Sequence, residues 1–492
     1  MTGEPTRLAH PDPSGALAAG TLIAHARWAA RTLQTYDRTA VLQIAEAVAR
    51  AGEEHARRHA QWAVHETGMG VVEHKARKNL ACSQGLIETY RDHDYVSPRV
   101  DTARAMVELP RPAGVILAAT PLTSPVSTVY FTVLLAALTR NAVVLSPHPR
   151  AKGCSSDAAA VLAAAATAAG APEGMVQWVE NPSSALADAL MRDERVDLVV
   201  AVGSADVVRS ASFCGHPTLA AGPGNVPAFV DASADVPAAA RLLVESKEFD
   251  NSLMPSSESV LLVEDAVADK LSAALKRQGA ALLDRTQARR LTGVMFPDGI
   301  LDPRFVGQSA TWIARQAGLR VGPKTRLLVA PFDHVGPEEP LSQGKLAPVL
   351  GLLRVPSVRH GIDAARAVLR IGGAGHSAVI HSGDVQTVLD YCAAVPALRV
   401  VVNAAGSTGG SGMDTHLAPS MLMGTGFAGS STLGHNLEPG DLVNWARVAY
   451  PCAPGTTVPD LRRVVRRRRG TTSGSGPSAT RAGTASPHRD GT

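Results

Sequence analysis

Two kinds of hydrophobic spacing divide the chain. From Gly15 to His65 apolar residues recur at three- and four-residue steps (Leu17, Leu22, Ile23, Trp28, Leu33, then Val41, Ile44, Val48), which predicts two amphipathic helices parted near Tyr36-Asp37-Arg38. A turn at Gly68-Met69-Gly70 leads to a third helix over 73–90. Past Ser97-Pro98-Arg99 short apolar runs alternate with helical stretches. The runs at 114–119, 142–146, 175–179, 197–202 and 218–221 read as strands, with helices at 126–138, 155–169, 183–191 and 205–213 between them. This alternation predicts a parallel, doubly wound sheet, because each crossover helix needs a sheet face on which to bury its apolar side.

A second α/β stretch has strands near Val260, Leu327, Val349, Ala378 and Val400, with helices over 266–278, 286–292, 361–369 and 384–393. Residues 405–412 (AGSTGGSG) read as a flexible loop, and 417–434 as a further Gly/Ser/Thr-rich stretch returning toward the first half. The two halves meet at residues 249–259, FDNSLMPSSES, a polar turn between an amphipathic helix over 237–248 and the strand at Val260. Such a turn commonly mounts a nucleophile, yet this one has no cysteine.

Composition narrows the class. At 492 residues and 45% hydrophobic content the chain can build two or three domains with sizeable cores. Five widely spaced cysteines (Cys82, Cys154, Cys214, Cys392, Cys452) with no Cys-x-x-Cys pair argue for a reducing compartment and against a disulfide frame or structural zinc. No apolar run reaches membrane-spanning length and the first residues lack a signal-peptide pattern, so the expected location is cytoplasmic with no membrane partner. The net charge is +4, but residues 461–492 hold eight arginines and one aspartate, which leaves the remainder mildly acidic. A nucleic-acid footprint is therefore not indicated; the Arg462–Arg469 cluster reads as a solvated tail or, alternatively, as a site for nucleic acid or an acidic partner. His360, His376 and His381 show no metal-ligand spacing, and no metal is expected.

Seven segments in order carry a resemblance: ETGMGVVEHKARKN (66–79), TRNAVVLSPHPRAK (139–152), AAGPGN (220–225), KEFDN (247–251), KLAPVL (345–350), GGAGHSA (372–378) and LAPSMLMGTG (417–426). Together they resemble the CoA-acylating branch of the aldehyde dehydrogenase superfamily, most nearly the aldehyde dehydrogenase half of bifunctional aldehyde–alcohol dehydrogenases, over about residues 17–450. The resemblance implies an aldehyde dehydrogenase-like α/β fold: a Rossmann-like NAD(P)-binding domain, an α/β catalytic domain and a small oligomerisation element. On that basis the expected division is a disordered 1–15, a nucleotide-binding domain over 16–245 with oligomerisation strands near 97–110, a catalytic domain over 246–420, a return segment over 421–453 and a disordered basic tail over 454–492. The strand-like segment 104–109 fits the oligomerisation element and implies a homo-oligomer or a hetero-oligomer with a related enzyme. The activity implied is interconversion of an aldehyde and an acyl-CoA through a cysteine thioester, with NAD(P) and CoA as cofactors.

Three positions depart from the pattern that the resemblance implies. In Phe-Asp-Asn-x-x-x-Cys-x-Ser-Glu, Phe249, Asp250, Asn251, Ser257 and Glu258 match, and Pro255 stands at the cysteine. Proline has no nucleophilic atom. The oxyanion asparagine of Thr-Asn-Pro-x-x-Thr is replaced by Ser124, and the acid that holds the nicotinamide ribose by Gly344. These losses imply impaired or altered catalysis, or, alternatively, a non-catalytic nucleotide- or CoA-binding protein or oligomer partner. Ser256 and Ser257 flank the missing thiol, but an alkoxide needs a strong base. Cys214 precedes the strand ending at Ala221 and so belongs at the wrong strand end.

The remaining candidates are cofactor contacts. Gly203-Ser204 opens a helix after a strand and either meets a pyrophosphate or, through Ser204, simply caps the helix. Ser146, His148 and Arg150 stand where the family receives the adenosine end of the cofactor, and either touch it or frame a rigid turn. Gly222 and Gly224 either let backbone approach the nicotinamide or form a plain strand-end turn.

Overall fold

In a computed structural model, residues 13–203, 205–453 and 455–458 are described. Ser204, the Arg462–Arg469 cluster and nearly all of both expected disordered termini lie outside the described residues. The helices of the first stretch form where the spacing places them, Pro13–Leu33 and Arg38–Thr67. The Asp37 side chain caps the second by accepting from the Ala40 amide, and Gly68, at φ 69°, ends it with its N–H on the Val64 carbonyl. The third runs from Val72 to Tyr90, with a π-helical turn at Ala81–Gly85.

The first sheet holds five parallel strands in the order Val176–Trp178, Ala142–Ser146, Val115–Ala119, Leu198–Val202, Thr218–Ala221. Winding reverses between Val115–Ala119 and Leu198–Val202, so a crevice opens beyond their carboxyl ends. The two central strands Val115–Ala119 and Ala142–Ser146 are buried along their whole length, which explains their unbroken apolar runs.

The second sheet has seven parallel strands in the order Ala280–Leu282, Leu327–Pro331, Val349–Val355, Glu258–Glu264, Val226–Val230, Gly375–His381, Ala397–Val402. One apolar cluster packs on each of its faces, centred on Phe229, Leu262 and Ile380 on one side and on Ala228, Leu261 and Val379 on the other. Strand Val226–Val230 was not anticipated from the sequence. It follows the end strand of the first sheet after only Gly222-Pro223-Gly224-Asn225, too short a link for a helical crossover, and it carries Pro227 beside a register irregularity. The chain therefore leaves one sheet and enters the next within four residues.

The AGSTGGSG stretch corrects a second expectation. It is a buried helical turn, Gly406–Gly410, where a Cβ on Gly410 would stand 2.8 Å from the Ser256 Cβ. Glycine serves here for close packing beneath the central turn instead of flexibility.

Residues 97–110 and the described residues from 445 onward form a separate small unit. Strands Arg99–Asp101 and Met106–Pro112 pair antiparallel in a three-stranded sheet with Val443–Ala449. Within it the Arg99 guanidinium lies 3.7 Å from the Trp445 ring centre and Arg447 pairs with Glu108 at 3.3 Å.

Candidate active-site cleft

The carboxyl ends of the first sheet's strands and the amino ends of the second sheet's strands enclose a cavity of about 1000 Å³. Thr120 to Ser124, Ser146 to Pro149, Gly203 and Gly222 reach it from one side. Met254, Pro255, Gly344 and Gly373 reach it from the other.

The central turn is held in an unfavourable backbone shape. Asp250, Asn251 and Ser252 have φ of 51°, 51° and 66°, the left-handed region that costs a non-glycine residue about 1–3 kcal/mol. Each side chain is anchored in return. Asp250 pairs with Lys75 at 3.1 Å and Lys78 at 2.5 Å and accepts the Val71 amide at 2.8 Å. Asn251 donates to the Gly307 carbonyl at 2.9 Å, and Ser252 accepts from Lys247 at 2.6 Å. Burial alone would push the Asp250 carboxyl up, but the two ammonium groups and the amide hold it below its ordinary range. Burial, opposed by Asp250, lowers the Lys75 ammonium to about 8.

Further buried ions brace the neighbouring loops. Glu258 accepts the Gly406 amide at 2.8 Å; burial raises its carboxyl and lowers the nearby Lys247 ammonium. Lys345 donates to the Leu341 and Gln343 carbonyls at 2.8 and 2.6 Å, which fixes the loop that presents Gly344. These residues sit in the quoted motifs, but apart from Glu258 nothing in their spacing marked them as a functional set. Only the fold brings residues 75, 78 and 250 together.

The cavity wall in front of these ions is chemically sparse. Pro255 follows Met254 in a turn closed by the Ser257 amide on the Met254 carbonyl at 2.9 Å, a position whose φ suits proline. It offers neither a side-chain nucleophile nor a backbone N–H. No described lining residue is a cysteine, and all five cysteines lie elsewhere. Cys214 is buried near Thr218 at the amino end of its strand, 3.8 Å from that hydroxyl. Ser256 donates to the Ser407 carbonyl at 2.9 Å, and Ser257 Oγ is buried without a partner, so neither hydroxyl faces a base.

Ser124 lines the cavity, its oxygen accepting from Lys78 Nζ at 2.7 Å. Lys75 likewise donates to the Thr123 carbonyl at 2.9 Å. At Gly224 a Cβ would fall 1.9 Å from the Pro255 carbonyl oxygen, and at Gly344 one would fall 2.6 Å from the Gly224 carbonyl oxygen. Pro255, Gly224 and Gly344 are thus stacked backbone to backbone, and no larger residue enters at either glycine unless the chain shifts.

The fold brings Pro255, Ser124, Ser146, His148, Gly203, Gly222, Gly224 and Gly344 to one cavity. Ser257 and Glu258 are behind its wall, and exposed Arg150 is outside its lining. His148 Nδ1 accepts the Arg150 amide at 3.1 Å, so the turn-framing role exists, and burial, reinforced by Arg150, lowers its pKa. His376 also lies close behind: its Cε1 would be 3.4 Å from a Cβ on Gly224, and its Nε2 is buried without a partner. No metal-holding group of acidic, histidine or cysteine side chains occurs among the described residues, and no described helix is long and apolar enough to cross a membrane.

A doubly wound sheet handing its chain to a second parallel sheet across a strand-end cleft defines an α/β protein whose candidate site lies at strand ends. The chain belongs to the aldehyde dehydrogenase family, whose model matches residues 6–288. It is 36% identical over 405 residues to the aldehyde-alcohol dehydrogenase of Streptococcus pneumoniae, which covers 79% of this chain and 46% of that protein. It thus spans about half the length of the curated relatives it matches. An acetylating aldehyde dehydrogenase from Geobacillus thermoglucosidasius superposes with a TM-score of 0.88 at 33% identity, over 92% of this chain and 100% of that one. A propionaldehyde dehydrogenase from Rhodopseudomonas palustris, solved with bound CoA and an acylated cysteine, gives a TM-score of 0.80 at 25% identity over 88% and 97% of the two chains.

Proposed function

We propose that this chain keeps the ligand-binding cleft of an acylating aldehyde dehydrogenase but does not form the covalent thioester, and that it acts as a nucleotide- or CoA-binding protein or as the partner of an active relative. The observation that supports this reading is that Pro255, which the resemblance sets at the cysteine position, lines the cavity, with no thiol in the described lining. Loss of a covalent nucleophile elsewhere costs on the order of 10⁶ in kcat, and loss of an oxyanion donor about 10²–10³.

The residues present fit a dinucleotide in one half of the cleft. On the first-sheet side Thr120 Oγ1 is buried without a partner in the cavity wall, and strand ends and glycines leave backbone accessible. There Ser146, His148, Gly203 and Gly222 would hold the cofactor, which when bound supplies hydride acceptance. On the opposite side Gly344 has no side chain for a ribose hydroxyl, so NAD(P) binding is expected to be weak.

The reading is tested by following NADH absorbance with an aldehyde plus CoA, and in reverse with an acyl-CoA. The expected result is no turnover by the wild-type chain and a detectable rate in the Pro255→Cys/Ser124→Asn variant. Robust wild-type activity would overturn the reading. Light scattering tests the oligomer, and a monomer would exclude the homo-oligomeric form.

A further inference from the structure

Behind Ser124 the cavity wall is backed by a positive charge, although no lysine or arginine occurs among the described lining residues. Lys75 and Lys78 set two ammonium groups against the single carboxylate of Asp250, at 3.1 and 2.5 Å, and no other carboxylate pairs with either lysine among the described residues. His74 accepts the Asp250 amide through Nδ1 at 2.9 Å, so its ring is neutral and adds no charge from its side of the turn. All three ionised side chains are buried, and together they keep one net positive charge. That charge grips the loop over residues 120–124 at two adjacent points. Lys75 Nζ donates to the Thr123 carbonyl at 2.9 Å, and Lys78 Nζ donates to Ser124 Oγ at 2.7 Å. The carboxylates of the lining, Asp188 and Asp206, are on the helices Ser184–Met191 and Ala205–Ser212 and are exposed, so water screens them far more than it screens the buried lysines.

Ser124 is where this charge meets the cavity. An ammonium only donates, so Ser124 Oγ accepts from Lys78 and keeps its own proton to give; no acceptor for that proton occurs among the described residues. Ser124 is 8% exposed and lines the cavity. The loop's other hydroxyl points to the same need: Thr120 Oγ1, on a lining residue 5% exposed, is buried without a partner. Ser124 also stands at the N-cap of the fourteen-residue helix Pro125–Leu138, whose amino end carries the positive end of the helix dipole. A neutral carbonyl oxygen placed here gains hydrogen bonds alone, whereas a carboxylate oxygen also gains the attraction of the buried charge one hydroxyl away. One net charge matches a monoanion. A phosphate monoester, at about −1.5 to −2, would be left partly uncompensated.

We propose that Ser124, backed by Lys78, forms with Thr120 a standing subsite for the carboxylate of a small monocarboxylic acid, which it prefers to the uncharged amide of the same shape. Lys78 acts through Ser124 and is a positioning residue. The subsite needs no nucleotide, so it is independent of the nucleotide-binding reading. Ligand-detected NMR titration of the full chain at constant ionic strength and neutral pH, with propionate, propionamide and inorganic phosphate, tests it. Propionate is expected to bind about tenfold or more tighter than propionamide, and tighter than phosphate. In Ser124→Ala, and in Lys78→Met, which leaves Lys75 and Asp250 as a balanced pair, the preference for propionate over propionamide is expected to fall to within about threefold, with circular dichroism checking that each variant is folded. A loss of packing alone would weaken both ligands together and leave their ratio unchanged. Equal affinities in the wild-type chain, phosphate binding tighter than propionate, no detectable propionate binding, or a preference that survives Ser124→Ala would each overturn the subsite. Titration with NAD, NADP and CoA decides nucleotide binding separately, and its failure would leave the carboxylate subsite in place.

Discussion

The wall of the cleft and the buried ions directly behind it have opposite characters. Behind the wall, Lys75, Lys78, Lys247, Asp250, Glu258 and Lys345 are all buried ionisable groups, and taking such groups out of water is costly. On the wall itself the positions that the resemblance assigns to the chemistry are occupied by Pro255, Ser124 and Gly344. Such expensive support is ordinarily associated with holding reactive groups in place. Here it backs a wall with no thiol in its described lining, which teaches that the geometry of the cleft is braced by buried groups outside that lining.

The contrast is broken most severely by Asp250→Asn. It leaves two buried ammonium groups without their counter-ion, and an expected loss of about 3–5 kcal/mol is measured by denaturant unfolding. Acid gives the next largest effect. Burial, with Arg399 nearby, lowers the His376 pKa to about 3, and burial lowers that of His381 to about 4. Both imidazoles are neutral in the fold, whereas the unfolded chain takes up their protons below about pH 6.5. Stability is therefore full above that pH and falls as pH drops from 6.5 toward 4, by up to roughly 2.7 kcal/mol per pH unit for the two together. Removing these rings by His376→Gln and His381→Gln should flatten the slope, as unfolding curves at several pH values would show.

Changes on the wall should be smaller. Ser124→Ala removes an acceptor from Lys78, at an expected cost of about 1.5–3 kcal/mol. Gly344→Ala places a Cβ 2.6 Å from the Gly224 carbonyl, so a loss of about 1–3 kcal/mol is expected in thermal unfolding. The same contact explains why restoring an acid at 344 would not by itself rebuild a ribose site. Pro255→Cys should cost under about 1 kcal/mol, since proline contributes there chiefly by restricting the unfolded chain. Its new thiol should react with iodoacetamide faster than the buried Cys82 and Cys154, whose pKa values burial pushes up to about 12.

The parallel sheets were legible because strands covered on both faces read as unbroken apolar runs, and the wall was legible because Pro255, Ser124 and Gly344 interrupt otherwise matching segments. The buried ions were not. Lys75 and Lys78 are spaced as any surface helix would space them, and burial is decided by what packs against the helix. Val226–Val230 was missed because it follows the preceding strand too closely for a crossover, and the Gly406–Gly410 turn because glycine packs tightly as readily as it flexes.

Intact-mass spectrometry after incubation with a short acyl-CoA tests the central claim most directly. The wild-type chain is expected to show no added acyl mass while Pro255→Cys gains one acyl group; an acyl adduct on the wild-type chain that is lost on thiol treatment would contradict the account.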